Sequence, residues 1–265
     1  MYEGKGTLVF ASGVVHKGEY KKGKYDGEGY IDYGKGSYFK GIFRNGSPSK
    51  GEYRYVDGAV YVGDFVNGEL GGKGTLAFTN GNRYTGEFKN GTYHGQGEFK
   101  FLESVFTGEY RNGNPYFGTY KYNTGNEFTG FLHENWGRKV GEYRKEGAVY
   151  HGWFNEAGLY EGYGIQENED GTKAEGEWLN GDNTGFTLMY IKALDKTVIG
   201  KLNYKGPGIW GVVSYKDKFY SGKMDDEGNM DYLEGNDEEH TRVYSEAMQY
   251  IRAGRKAYTD IMNKK

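Results

Sequence analysis

Cysteine is absent from this sequence. That absence removes disulfide frameworks, thiolate catalysis and cysteine-ligated zinc together, and it suits a reducing compartment. Proline is scarce, at 3 residues in 265. No apolar run approaches the roughly 18 residues of a membrane span, and the N-terminus lacks the apolar core of a signal peptide. The expectation is a cytoplasmic protein that is not secreted and has no transmembrane segment. Asn45-Gly-Ser47 and Asn90-Gly-Thr92 match glycosylation sequons, but both read as turns. Charge of one sign is also lacking, since the net charge is −3. Residues 1–50 carry nine Lys/Arg and five Asp/Glu (+4), whereas residues 151–200 carry three and nine (−6). A nucleic-acid partner would call for a much larger basic excess.

Glycine and aromatics are abundant instead: 47 Gly, 27 Tyr and 15 Phe. Glycine is well over twice the usual frequency of roughly 7%. Unordered Gly/Tyr richness marks a disordered tract; regular spacing marks stacked hairpins, so periodicity decides. Tyr84-Thr-Gly86-Glu-Phe88-Lys-Asn-Gly91 leads into Gly95-Gln-Gly97-Glu-Phe99-Lys-Phe101. The anchor glycine recurs at 18, 41, 63, 86, 108, 130, 152, 176, 200 and 222, at intervals of 22 to 24 residues. The second half recurs as Gly27/Gly29, Gly72/Gly74, Gly95/Gly97 and Gly162/Gly164. Gly4-Lys-Gly6-Thr-Leu8 parallels Gly72-Lys-Gly74-Thr-Leu76, so the chain begins halfway through a repeat.

Each half alternates with period two. Tyr84, Gly86 and Phe88 share one face, opposite Thr85, Glu87 and Lys89. Asn-Gly pairs at 45–46, 67–68, 90–91, 112–113 and 180–181 signal tight turns. Glycine normally weakens a strand. Its fixed register here implies that something packs directly on the backbone, and the neighbouring repeat's ring is the simplest candidate. Single hairpins are marginal, but stacked copies bury a continuous aromatic row.

The pattern Y-x-G-x-Φ-x-x-G-x-x-x-G-x-G at a period near 23, carried by residues 1–230, resembles the MORN repeat (membrane occupation and recognition nexus). The resemblance implies an all-β fold: an elongated, single-layer antiparallel sheet of about ten stacked hairpins over residues 1–235. It also implies a non-catalytic scaffold in cytoskeletal, ciliary or membrane-associated assemblies. Copies after Gly41, Gly108 and Gly130 depart from it, showing Gly51-Glu-Tyr53, Gly118-Thr-Tyr120 and Gly141-Glu-Tyr143 in place of GxG. Ala174 and Val198 replace the leading aromatic in two later copies.

Residues 236–265 read as one C-terminal α-helix, with Asn236 as N-cap and Glu239 at N3. Tyr244, Ala247, Met248, Ile251, Tyr258 and Ile261 form its apolar stripe, interrupted by Gly254. The strand Phe186–Leu194 and the stretch Ile209–Val213 are apolar on both faces and need a cover. Met189, Ile191, Ile209 and Val213 are therefore expected to dock Tyr244, Met248, Ile251 and Tyr258. The alternative is a basic amphipathic helix that engages a partner or anionic lipid.

Catalytic chemistry is not legible. Gly206-Pro-Gly208-Ile-Trp-Gly211 leads into a strand where a dinucleotide fingerprint needs a helix. Gly18 to Gly23-Lys24 has phosphate-loop spacing but places Tyr25 where Ser/Thr must meet magnesium. His16, His94, His133, His151 and His240 lack metal-ligand spacing, and the acidic clusters do not follow calcium-loop order. No catalytic residue, metal ligand or cofactor is assigned. A protein partner, offered as an extended or helical segment, is the first functional reading. Its candidate contacts are Tyr61, Phe65, Tyr84, Phe88, Phe106, Tyr110, Phe128, Tyr150 and Trp153, although each ring also suits a stacking core. A tether to anionic phospholipid and a small-ligand aromatic cage are the alternatives. The N-terminal half-repeat is the candidate end for a second copy.

Overall fold

The computed structural model describes residues 2–202, 209–215, 218–224, 230–233 and 237–264, with side chains except at 194, 196, 200–240 and 243. Asn236 lies outside the described residues, as do the side chains of Ile209, Val213 and Glu239. The chain divides into two compact units, Met1–Asn123 and Thr124–Lys265.

Unit 1 contains β1 (Gly4–Val9), β2 (Val15–Lys21), β3 (Lys24–Gly34), β4 (Ser37–Arg44), β5 (Ser47–Arg54), β6 (Val60–Val66), β7 (Glu69–Ala77), β8 (Arg83–Lys89), β9 (Thr92–Lys100), β10 (Ser104–Arg111) and β11 (Asn114–Tyr122). Each pairs antiparallel with its chain neighbours. Unit 2 contains β12 (Glu127–Leu132), β13 (Arg138–Lys145), β14 (Ala148–Phe154), β15 (Tyr160–Glu167), β16 (Lys173–Leu179), β17 (Asp182–Ile191), β18 (Lys196–Leu202), β19 (Ile209–Tyr215), β20 (Lys218–Met224), β21 (Met230–Leu233) and the helix α1 (Asp237–Met262). Its strands pair in the same consecutive way. Among the described residues, β1 pairs with β2 and five hairpins, β2–β3 to β10–β11, follow it in unit 1, while unit 2 holds five hairpins and α1.

The tight turns are local chemistry. Asn90 and Gly91 hold φ of +50° and +75°, as a two-residue turn requires. The turn glycines also join successive hairpins: the amide of Gly91 donates to the carbonyl of Leu70 and that of Gly113 to Tyr93, at 3.0 and 2.9 Å.

A single row of glycines runs across unit 1. Gly6, Gly18, Gly29, Gly41, Gly51, Gly63, Gly74, Gly86, Gly97, Gly108 and Gly118 face one another strand by strand. In unit 2 the row is Gly130, Gly141, Gly152, Gly164 and Gly176, then Thr187. The reason for the row differs from the sequence expectation. The ring over most of these glycines comes from the same hairpin, two residues before the first glycine of the pair. A methyl group on Gly97 would stand 2.6 Å from the Tyr84 ring, and one on Gly118 would stand 2.7 Å from Phe106 Cζ. At Gly29 and Gly6 the next hairpin supplies the ring instead, with Phe43 at 2.9 Å and Tyr20 at 3.5 Å.

Neighbouring hairpins meet through the next ring along. Tyr84 meets Phe88 of its own strand edge to face at 5.1 Å, and Tyr110 of the next hairpin at 5.0 Å. The same T-shaped step joins Phe39 to Phe65, Tyr61 to Phe88, Phe128 to Phe154 and Tyr150 to Trp178, at 5.0 to 5.6 Å. Such pairs contribute about 0.5–1.5 kcal/mol each beyond area burial. Phe39, Tyr61, Tyr84, Phe106, Tyr110 and Phe128 are fully buried. The aromatic face is the core.

Hairpins come in two builds. In β6–β7, β8–β9 and β14–β15 a tyrosine leads. Its hydroxyl donates to the carbonyl three residues on: Tyr61 to Asp64, Tyr84 to Glu87 and Tyr150 to Trp153, at 2.8, 2.9 and 3.2 Å. A register shift directly after the row glycine frees that carbonyl. The first glycine of GxG then turns left-handed, as at Gly95 with φ +57°. In β4–β5, β10–β11 and β12–β13 a phenylalanine leads, and the register shift falls later in the strand. These are the copies without GxG. A phenyl ring has no hydroxyl to satisfy, so the longer bulge has no purpose there.

Candidate docking groove

Strand alternation gives the sheet a second face, opposite the aromatic core. In unit 2 this face carries α1, which packs on β15 to β19 and reaches β14 through Tyr258. The Tyr258 ring meets Trp153 at 5.7 Å and His151 at 6.4 Å. Gly254 lies against the Tyr163 ring, where a methyl group would collide. Tyr250 meets Phe186 at 6.2 Å. From Tyr250 to Tyr258 the helix thus crosses from β17 to β14, its axis running across the strands. Ala247 and Ile251 are fully buried beneath it.

One polar anchor fixes this register. Glu175, 7% exposed, accepts from Arg255 Nε and Nη2 at 2.5 Å each and from the Tyr163 hydroxyl at 2.5 Å. The carboxylate beside it raises the Arg255 guanidinium above its usual range, and burial followed by the same carboxylate raises the Tyr163 phenol. Arg255 is therefore a permanent cation and Tyr163 a permanent donor. A carboxylate this deep is tolerable only because all three donors converge on it.

These contacts revise the expected site residues. Tyr61, Phe65, Tyr84, Phe88, Phe106, Tyr110, Phe128 and Tyr150 are buried core rings with at most 8% exposure, so their ring faces are not open to a partner. Trp153 belongs to the opposite face, beneath Tyr258. On β17 it is Phe186 that meets the helix. Alternation therefore turns Met189 and Ile191 away from it, and Met189 pairs with buried Val198 on the core side. Ile251 is fully buried, Met248 is half-buried and Tyr258 lies against Trp153 and His151 of β14. Tyr244 is 38% exposed. Gly254, whose place in a helix had no sequence rationale, is the contact point for Tyr163.

In unit 1 the same face is an open groove. One depression is lined by Lys17, Tyr30, Lys40, Ile42, Glu52 and Val62, among others. A second continues from Lys50 and Val62 to Lys73, Thr85 and Glu87. Ile42 and Val62 are 36% and 51% exposed. Strand register places Thr7, Lys17, Tyr30, Lys40, Glu52, Val62, Thr75 and Thr85 in one row. Lys17, Lys40 and Val62 each immediately precede a row glycine, the position Glu175 occupies in unit 2. Lys5 pairs with Glu19 and Lys50 with Asp64, at 3.8 and 3.4 Å. Glu52 accepts from the Tyr38 hydroxyl at 2.5 Å. Among the described residues, Lys17, Lys40 and Lys73 have no ion-pair partner.

Among the described residues no group of three or more His, Asp or Glu could hold a metal ion. No described helix is long and apolar enough to cross a membrane.

Consecutive antiparallel hairpins, each repeating a glycine and a ring at one register, define a β-hairpin repeat protein. Four segments of unit 1, residues 1–15, 16–38, 61–83 and 84–101, match the MORN repeat family model. The last three segments are hairpins with GxG, led by His16, Tyr61 and Tyr84, and no match begins on a phenylalanine-led hairpin. Comparison with curated proteins gives no match. MORN-repeat proteins are generally non-enzymatic modules of protein or membrane interaction.

Proposed function

We propose that this chain is a non-enzymatic scaffold that binds other proteins through the face opposite its aromatic core. The observation that supports this reading is α1, an amphipathic helix seated on that face in unit 2 with a buried charged anchor. The face of these hairpins accepts a protein segment there, and in unit 1 it is open, concave and partly apolar. The MORN resemblance adds cytoskeletal, ciliary or membrane-associated assemblies as the setting. A photo-cross-linking residue at Val62 should capture protein in cells, whereas one at Leu102, 78% exposed in a loop, should not. Capture of lipid alone at Val62, or equal capture at both positions, would discard the reading in favour of a membrane tether, for which Lys17 and Lys40 on one face are the supporting observation.

A further inference from the structure

Unit 2 shows how the groove reads a helix, and unit 1 presents the same groove with different side chains. On the reading that this face docks protein, we propose that the unit 1 groove takes an acidic amphipathic helix from a partner. That helix would lie across the strands as α1 does and place carboxylates over Lys17 and Lys40.

Three observations carry this. First, the register is shared. In unit 2, Glu175 precedes a row glycine and receives Arg255; in unit 1 the same position holds Lys17 and Lys40. Reversing the sign at that position reverses the charge required of the occupant.

Second, the charges are unspent. Lys5 and Lys50 are answered by Glu19 and Asp64, Glu52 is held by Tyr38, and Glu28, opposite Ile42, is the one further carboxylate lining this depression. Lys17, Lys40 and Lys73 have no ion-pair partner among the described residues.

Third, the spacing suits a helix. Lys17 and Lys40 are separated by one intervening strand, carrying Tyr30. Two strand spacings are about 10 Å, and seven helical residues rise about 10.5 Å. Carboxylates at i and i+7 therefore reach both lysines from one helix face. The side chains between and beyond them, Tyr30, Ile42 and Val62, offer the apolar contact that an amphipathic stripe needs. A flat anionic surface would satisfy the lysines but would leave Ile42 and Val62 in the concavity without a ridge to fill it.

The probe is a labelled peptide of residues 237–264 carrying Met248→Glu and Arg255→Glu, which sets two carboxylates seven residues apart on the docking side. The control carries Lys at both positions. Fluorescence anisotropy with the full chain should show the Glu peptide binding at least tenfold tighter than the Lys peptide. Lys17→Glu with Lys40→Glu in the chain should abolish that preference, and Lys17→Gln with Lys40→Gln should reduce it. Both lysines are exposed, and far-UV circular dichroism verifies that each variant keeps its sheet. Equal binding of the two peptides, or binding indifferent to the lysine changes, overturns the proposal. So does a result in which phosphatidylserine vesicles, but not the Glu peptide, lose binding on lysine reversal. If protein is still captured at Val62 while the Glu peptide fails, the groove remains a docking face and only its occupant was misjudged.

Discussion

A buried tyrosine is costly unless its hydroxyl finds an acceptor, and in the tyrosine-led hairpins the bulge supplies one. The first β2–β3 hairpin breaks that arrangement. His16 stands at the leading position, stacked on Tyr25 at 3.2 Å. Its Nδ1 meets the Tyr20 hydroxyl at 3.1 Å, but its Nε2 is buried without a partner. Burial lowers the His16 pKa from 6.5 to about 4. The folded state therefore disfavours the proton that the unfolded state accepts. The stabilisation from neutral His16 is fully present above pH 6.5, falls as pH drops towards 4 and is gone below that, a change on the order of 3 kcal/mol. Thermal melts at pH 7 and pH 5 should show the N-terminal hairpins weakening at pH 5 in the native chain and much less so in His16→Phe. An equal pH response in both would remove His16 as the cause. The row glycines give a second residue-level test. Gly97→Ala would raise strand propensity, yet its methyl would meet the ring and hydroxyl of Tyr84, at an expected cost of about 1–3 kcal/mol. A denaturant midpoint at or above the native value would show that the ring yields freely.

Among the elements, α1 is the one held by a specific lock. Removing Arg255 leaves Glu175 buried among apolar neighbours with only Tyr163 to answer it. Loss of one partner of a buried pair costs about 3–5 kcal/mol. The Arg255 side chain is half exposed, at 51%, so an expectation of about 1–3 kcal/mol is more apt after allowance for solvent screening. Hydrogen exchange should show α1 of Arg255→Ala losing protection while β14 and β15 keep theirs. Glu175→Gln with Arg255→Met should restore much of it, because no charge is then stranded. Failure of the double variant to recover protection would mean that the ion pair itself, and not the relief of a buried charge, holds the helix.

Across the whole molecule, each hairpin touches its neighbours in the sequence, so stability should spread only locally. Gly97→Ala should raise amide exchange through β7 to β10 and leave α1 at its native rate. A uniform loss over both units would refute nearest-neighbour stability. Deletion of 237–265 should in turn expose the face now covered by Ala247 and Ile251, read as increased binding of a hydrophobic dye. An unchanged dye signal from a folded, truncated chain would argue that β14 to β19 need no cover.

The repeat, its turns and its helix were legible because each rests on local chemistry. Asn-Gly needs no neighbour to adopt positive φ, and a period of 22 to 24 residues is written in the glycines. The stripe containing Ala247 and Ile251 likewise follows from helical spacing alone. Alternation also placed Tyr84, Gly86 and Phe88 together. It left open whether those rings would serve as core or as a docking face, because a ring is closed off only by the next hairpin's rings. That step made Tyr61, Tyr84 and Phe106 core and left Lys17, Lys40 and Val62 in the groove. The pairing of Arg255 with Glu175, 80 residues apart, was equally invisible, since neither residue has a local signal. Sequence determined the hairpins and their order; only packing across them decided which side is interior, because burial belongs to neighbouring hairpins jointly and not to any one strand.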